Sequence, residues 1–276
     1  MSTKSPFCRY RLYLCAMGGM TLLTLILRTL ALFLSMDTEV CYFADGSLSV
    51  LLTVIEVASL AACLALPLLV KAGELPRGRA PLSLSGLIGT GVSALLFAAT
   101  AIYLLVRIDY IPAPVVLCLL AALCLLAGAT YFVFEFLGKG KPALGFGVIL
   151  AVALLLSITY FDRYTPMNAP HKTALHLCLL SIMLFMLYEV RAAIGRDLPR
   201  ALSVTSAIAF LFCATVGVSD LIAFIAGIYT DPLYLMGDLL VLGFAIYVAA
   251  RAVADLMRLH SAEPVAPAEA DTEDPL

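Results

Sequence analysis

Residues 113–137 read APVVLCLLAALCLLAGATYFVFEFL, and this segment decides the fold class. Its first 22 residues contain no charged side chain. A transmembrane helix needs about 20 consecutive, mostly apolar residues, whereas a strand of a membrane β-barrel alternates polar and apolar side chains over about ten residues. The segment does not alternate. It therefore predicts a helix that crosses a lipid bilayer, with all backbone hydrogen bonds made inside the helix.

The rest of the chain repeats this pattern. Hydrophobic residues make up 63% of the 276 residues, and charged residues make up 13%, against about 25% in a typical soluble domain. This composition excludes a soluble globular protein and predicts an all-α polytopic membrane bundle, with residues 1–260 forming a single transmembrane domain. We predict eight spans at about 12–36, 48–70, 83–106, 113–137, 143–161, 172–194, 201–228 and 232–257.

The distribution of basic residues predicts the orientation. Thirteen of the 17 Lys and Arg residues fall in the N-terminal segment, in the loops after spans two, four and six, or at the end of span eight. Cytoplasmic loops carry an excess of Lys and Arg. Both termini are therefore predicted to be cytoplasmic, in a protein of the plasma (cytoplasmic) membrane.

Three connections on the basic face resemble one another. They read GELPRGRAPLSLS from Gly73, GKGKPALG from Gly138 and GRDLPRALS from Gly195. Each places basic residues before a proline and a helix rich in small residues. Tandem duplication of helical hairpins explains this similarity. The alternative is that proline and charge are simply what short membrane loops use.

Residues 261–276, SAEPVAPAEADTEDPL, carry five acidic residues, no basic residue and no aromatic residue. Such a segment has too little apolar surface to offset the entropic cost of folding. We predict a disordered, acidic cytoplasmic tail.

Four charged residues inside the spans are predicted to lie at one depth. With a rise of 1.5 Å per residue, their distances from the predicted outer ends of their helices are about 9–12 Å. They come from spans one, two, seven and eight: Arg28, Glu56, Asp220 and Asp238. His176 enters the same layer from span six. Because intramembrane charges usually face a bundle interior or a cavity, this layer is the candidate site for a ligand or an ion.

Two interpretations of the layer stay open on the sequence alone. In one, three acids and one arginine line an outward-facing cavity that binds a cation, an amine or a proton. In the other, Arg28 and Glu56 form an ion pair that fixes the packing of the first hairpin. Asp220 and Asp238 would then only cap backbone groups.

The sequence predicts no metal site, cofactor or catalytic motif. His171 and His176 are five residues apart, about 140° around a helix, so this pair does not form one metal-binding face. His171 is expected in a solvated outer loop with Asp162, Arg163 and Lys172. A retinal Schiff base requires an intramembrane lysine, which no predicted span contains. No basic, aromatic-rich patch indicates nucleic acid.

Three functional classes remain. The acidic layer favours a small transporter or permeation protein for a cation, an amine or a proton-coupled solute. The lack of soluble domains favours a non-catalytic sensor, regulatory subunit or scaffold that acts through a partner membrane protein. An intramembrane enzyme is the third class, and Asp220 with Asp238 is its only candidate acid–base pair. In all three, the lipid bilayer is the first partner.

Overall fold

Eight long helices form the computed structural model, which describes residues 6–37, 42–43, 46–70, 75–76, 84–111, 113–163, 165–166, 169–228 and 230–261. The helices are α1 (Pro6–Leu34), α2 (Ser47–Leu69), α3 (Leu84–Val106), α4 (Val115–Phe136), α5 (Gly145–Phe161), α6 (Pro170–Ala193), α7 (Pro199–Ile225) and α8 (Pro232–Ser261). Each is long and apolar enough to cross a membrane. The predicted all-α polytopic bundle is confirmed. The predicted tail lies outside the described residues, apart from Ser261.

Short elements connect some of the helices. Two-residue strands, β1 (Met36–Asp37) and β2 (Tyr42–Phe43), pair antiparallel between α1 and α2. Single 3-10 turns precede α4 and α5, at Ile108–Tyr110 and Pro142–Leu144.

Helices α6, α7 and α8 form the most buried part of the bundle, whereas α2 buries the smallest share of its residues. Helix α7 packs against α1, α6 and α8, and α8 also packs against α3. A second group, α3, α4 and α5, packs in chain order and continues into α6. The outward-facing leucine, isoleucine and valine side chains of these helices are the surface that lipid tails contact in a bilayer.

Two buried clusters fill the interior. The larger contains the ring contacts of Phe132 with Phe97, Phe244 and Tyr247, with centroids 5.1–6.5 Å apart. The smaller lies near the start of α1, where the Tyr13 hydroxyl donates a hydrogen bond to the carbonyl oxygen of Ser203 at 3.1 Å. Apolar contacts therefore dominate the interior, and the buried charged side chains of the described residues lie near the ends of the helices.

The first and last helices meet at one end of the bundle. The rings of Phe7 in α1 and His260 in α8 are 4.8 Å apart. An even number of crossings brings the chain back to the side from which it started, and this contact agrees with that count. Which side of the membrane this is stays a prediction from the distribution of lysine and arginine, as does the duplication of hairpins.

Glycine allows the closest approach between α7 and α8. A Cβ atom built on Gly217 would lie 2.9 Å from the Cβ and 3.0 Å from the Cα of Leu242. Small residues at such crossings let two helix backbones pack closely in a membrane, where packing contributes much of the association energy.

Gly217→Ala is expected to destabilise the protein by about 1–3 kcal/mol, since the added methyl group meets a rigid backbone. Gly18→Ala in α1 is the matched control, because a Cβ there meets nothing within 4 Å. Thermal unfolding in detergent measures both variants. Equal melting temperatures for the two variants would contradict the close packing described here.

A reporter fused after Leu276 tests the orientation. An alkaline phosphatase fusion, active only outside the cytoplasm, is expected to be inactive, whereas a fluorescent protein fusion is expected to fluoresce. The opposite pattern would show that the basic loops face outward.

Candidate functional site

A buried network of charged residues lies at the end of the bundle opposite to Phe7 and His260. Its centre is Asp220, a fully buried residue of α7. The Arg28 Nη2 atom lies 3.3 Å from both of its carboxylate oxygens, and the Ser219 hydroxyl donates to Oδ1 at 3.0 Å. His171 Nδ1 lies 3.0 Å from Oδ2. Helices α1, α6 and α7 are therefore joined through one carboxylate.

Arg28 connects the network to α2. Its Nε atom donates to the Ser219 hydroxyl at 3.0 Å, and its Nη1 atom lies 3.8 Å from Glu56 Oε1. The Glu56 side chain is 35% exposed, whereas that of Arg28 is 5% exposed. Since its carboxylate is fully buried and closer, at 3.3 Å, Asp220 is the stronger partner of the guanidinium group.

His171 is the residue that the sequence interpretation did not place in the site. It lies in the first turn of α6 and is buried, so the expectation of a solvated loop was wrong. Pro170 is the first residue of α6, and proline is favoured at this position of a helix. This proline was the available signal that the helix begins before His171.

His171 lies between two carboxylates. Its Nδ1 atom faces Asp220, and its Nε2 atom is 4.0 Å from Asp238 Oδ2. Because an ionised carboxylate can only accept a hydrogen bond, we assign the hydrogen on Nδ1 to the contact with Asp220. The lone pair, or a second hydrogen, on Nε2 then points towards Asp238. The ring provides a short path for a proton between α7 and α8.

Asp238 is the least satisfied member of the network. It is 2% exposed, and its Oδ1 atom has no hydrogen-bond partner among the described residues. A carboxylate that is taken out of water without hydrogen bonds is costly, because neither water nor a donor compensates its charge. This residue is therefore the position at which the network can accept a proton or a cation.

The three side chains His171, Asp220 and Asp238 have one ligand-type atom each within 4.8 Å of one another. We call these three residues together with Arg28 the charged cluster. The structure thus brings together Arg28, Asp220 and Asp238 of the sequence-predicted layer, and it places Glu56 at the edge.

His176 does not join the charged cluster through any of its described contacts. Its Nε2 atom is 3.0 Å from the Thr159 hydroxyl of α5, and its ring lies beside Tyr160. The five-residue separation from His171 turns it towards α5, so His171 occupies the place in the layer that was predicted for His176.

A cavity of about 260 Å³ borders the cluster between α1, α2, α6 and α7. Arg28 and Glu56 contribute its charged wall, and Thr24, Thr53 and Thr215 contribute hydroxyl groups. The Thr215 hydroxyl is buried and has no hydrogen-bond partner among the described residues. The cavity therefore offers polar groups to a small solute directly beside the cluster.

The connection between α5 and α6, which was expected to be solvated, is anchored by buried side chains. Lys172 is fully buried, and its Nζ atom donates to the carbonyl oxygens of Asp162 and Thr165 at 2.7 and 3.2 Å. The Tyr234 hydroxyl donates to Asp162 Oδ2 at 3.0 Å. These bonds tie the connection between α5 and α6 to α8, next to the cluster.

A second polar site lies near the opposite ends of the same helices. Arg251 Nε is 3.2 Å from Glu189 Oε1, and the Tyr247 hydroxyl donates to that oxygen at 3.3 Å. A cavity of about 220 Å³ adjoins the pair and is lined also by Tyr10, Tyr13, Phe185 and Asp255.

Comparison with known proteins gives no relative: no family model, no curated protein and no solved structure matches this chain.

Arg28→Met is expected to destabilise the protein by about 3–5 kcal/mol, because it leaves a buried carboxylate without its cation. Arg107→Met, at an exposed arginine whose guanidinium lies over the Tyr110 ring, is the control. The double change Arg28→Met with Asp220→Leu is expected to recover part of the loss. Thermal unfolding measures all three variants, and an unchanged melting temperature for Arg28→Met would contradict a paired cluster.

Proposed function

We propose that this integral membrane protein is a small transporter that carries a cation in exchange for protons. The charged cluster is its binding and coupling site. The observation that carries the proposal is the buried Asp238 carboxylate, which faces His171 and has an oxygen without a hydrogen-bond partner among the described residues.

Charge arithmetic supports a cationic ligand. With a neutral imidazole, the cluster and its edge hold one positive charge, on Arg28, against three negative charges on Glu56, Asp220 and Asp238. An uncompensated charge inside a membrane costs several kcal/mol. Protons or a bound cation supply the missing positive charge, so release of one favours uptake of the other.

The position of the second polar site supports passage of a cation through the helix bundle. Glu189 follows His171 by 18 residues on α6, so the two are about 27 Å apart along the helix axis. The hydrocarbon core of a bilayer is about 30 Å thick. The same four helices, α1, α6, α7 and α8, therefore carry a polar site close to each membrane surface.

The section between the two sites is packed with mostly apolar side chains. Ser181 and Cys213 are in contact at 3.8 Å, and the Phe185 and Phe244 rings lie 5.7 Å apart next to the second cavity. Polar sites at both ends with a closed apolar section between them are what a carrier needs to open to one side at a time. Within the described helices, no arrangement of side chains of this kind supports the sensor or scaffold alternative.

Reconstitution into liposomes with an enclosed pH dye tests the proposal. Addition of cations from a panel (Na⁺, K⁺, Mn²⁺, Zn²⁺ and small alkylamines) is expected to drive proton release from vesicles that contain the wild type. Asp238→Asn is expected to reduce the signal to that of protein-free vesicles, because it removes the exchangeable charge.

Asp109→Asn is the control, since Asp109 is an exposed carboxylate in the connection before α4. Its proton flux is expected to equal that of the wild type. Full flux in a folded Asp238→Asn variant would contradict the coupling site. A wild type that releases protons for no member of the panel would contradict transport and favour a protein that acts through a partner.

A further inference from the structure

We propose that the cation is a divalent transition-metal ion, bound between His171 Nε2 and the Asp238 carboxylate. This assignment rests on the proposed function, of which it names the substrate class. An imidazole nitrogen with a carboxylate oxygen is a donor set that suits Zn²⁺, Mn²⁺ and Fe²⁺. His171 and His176, which do not share one face of α6, are a different pair from His171 and Asp238.

The spacing of the two donors fits an ion between them. His171 Nε2 and Asp238 Oδ2 are 4.0 Å apart, which is too long for a hydrogen bond. Two ligands that are each about 2.1 Å from one ion can be separated by up to about 4.2 Å. The observed distance lies within this limit, and a small inward movement of α8 would bring it to the shorter separation of a tetrahedral site.

Asp220 has the role of a positioning residue. Its oxygens already accept hydrogen bonds from Arg28, Ser219 and His171, so it offers no oxygen to a metal without losing one of them. A carboxylate that accepts the other ring N–H of a metal-binding histidine fixes the tautomer and the ring orientation. In this cluster it leaves the Nε2 lone pair directed at Asp238.

The charges balance for a divalent ion. The cluster and Glu56 together lack two positive charges when the imidazole is neutral. One divalent ion supplies both, which a single monovalent cation cannot do. The exchange of one divalent ion for two protons moves no net charge across the membrane.

The guanidinium group of Arg28 opposes a metal ion by repulsion, but its position limits this effect. It lies against Asp220 at 3.3 Å and near Glu56 at 3.8 Å, so two carboxylates face it. Its contacts with both oxygens also hold Asp220 in the geometry that orients His171.

Equilibrium binding of Mn²⁺ to the purified full chain in detergent, followed by electron paramagnetic resonance, tests the assignment. Mn²⁺ is chosen because it prefers nitrogen and oxygen ligands, so the cysteines of the chain do not compete for it. One ion per chain is expected, with the echo modulation that a bound ¹⁴N nucleus produces. Absence of this nitrogen signal from wild type would overturn the proposal without any variant.

Four variants assign the ligands. His171→Gln is expected to remove the nitrogen signal, and Asp238→Asn to weaken binding at least 100-fold. Asp220→Asn is expected to weaken binding 10–100-fold. His176→Gln is the matched control, because it changes a histidine of the same helix whose contact is Thr159, and it is expected to bind like wild type.

Each variant is first checked for a monodisperse peak and a cooperative thermal transition. Retained binding in folded Asp238→Asn and His171→Gln would overturn the site. The liposome assay separates this result from the proposed function. Proton exchange driven only by Na⁺, K⁺ or amines would keep transport and remove the metal. Metal binding without exchange would keep the site and remove transport.

Discussion

The hydrocarbon core of a bilayer provides no water to compensate a charge, and this constraint shapes the interior of the bundle. Arg28 can remain in α1 because Asp220 and Ser219 of α7 and Glu56 of α2 lie against its guanidinium group. The same carboxylate of Asp220 holds His171, so one ion pair fixes the relative positions of three helices. This pair also defines one arrangement of α1 and α7.

Much of the fold followed from apolar run length alone, because each span must make its backbone hydrogen bonds within one helix. The depth of the charged layer also followed, since a helix rises by a constant 1.5 Å per residue. The partners within the layer did not follow. Depth arithmetic places Arg28 beside Glu56 and Asp220 equally well. Which carboxylate becomes the main partner of Arg28 depends on the rotation of α1 about its axis and on which helix packs closest to it. Both are properties of the tertiary structure.

The two histidines show that the exact start of a helix also limits what the sequence can predict about the site. Moving the start of α6 by two residues, from 172 to Pro170, transfers His171 from a loop to a buried helical turn. Five residues further on, the helical rotation directs His176 towards Thr159. An uncertainty of two residues in a helix boundary is small for the fold but decides which imidazole belongs to the site.

The separation in sequence between Arg28 and Asp220 has a consequence for biogenesis. The two residues are 192 positions apart. At 5–20 residues per second, α1 is synthesised roughly 10–40 s before its main partner exists. During this interval Glu56, in the next helix to emerge, is the first carboxylate inside a span that follows the arginine. The partly exposed Glu56 at the edge of the cluster is thus placed to pair with Arg28 during membrane insertion, before α7 brings Asp220 to the arginine.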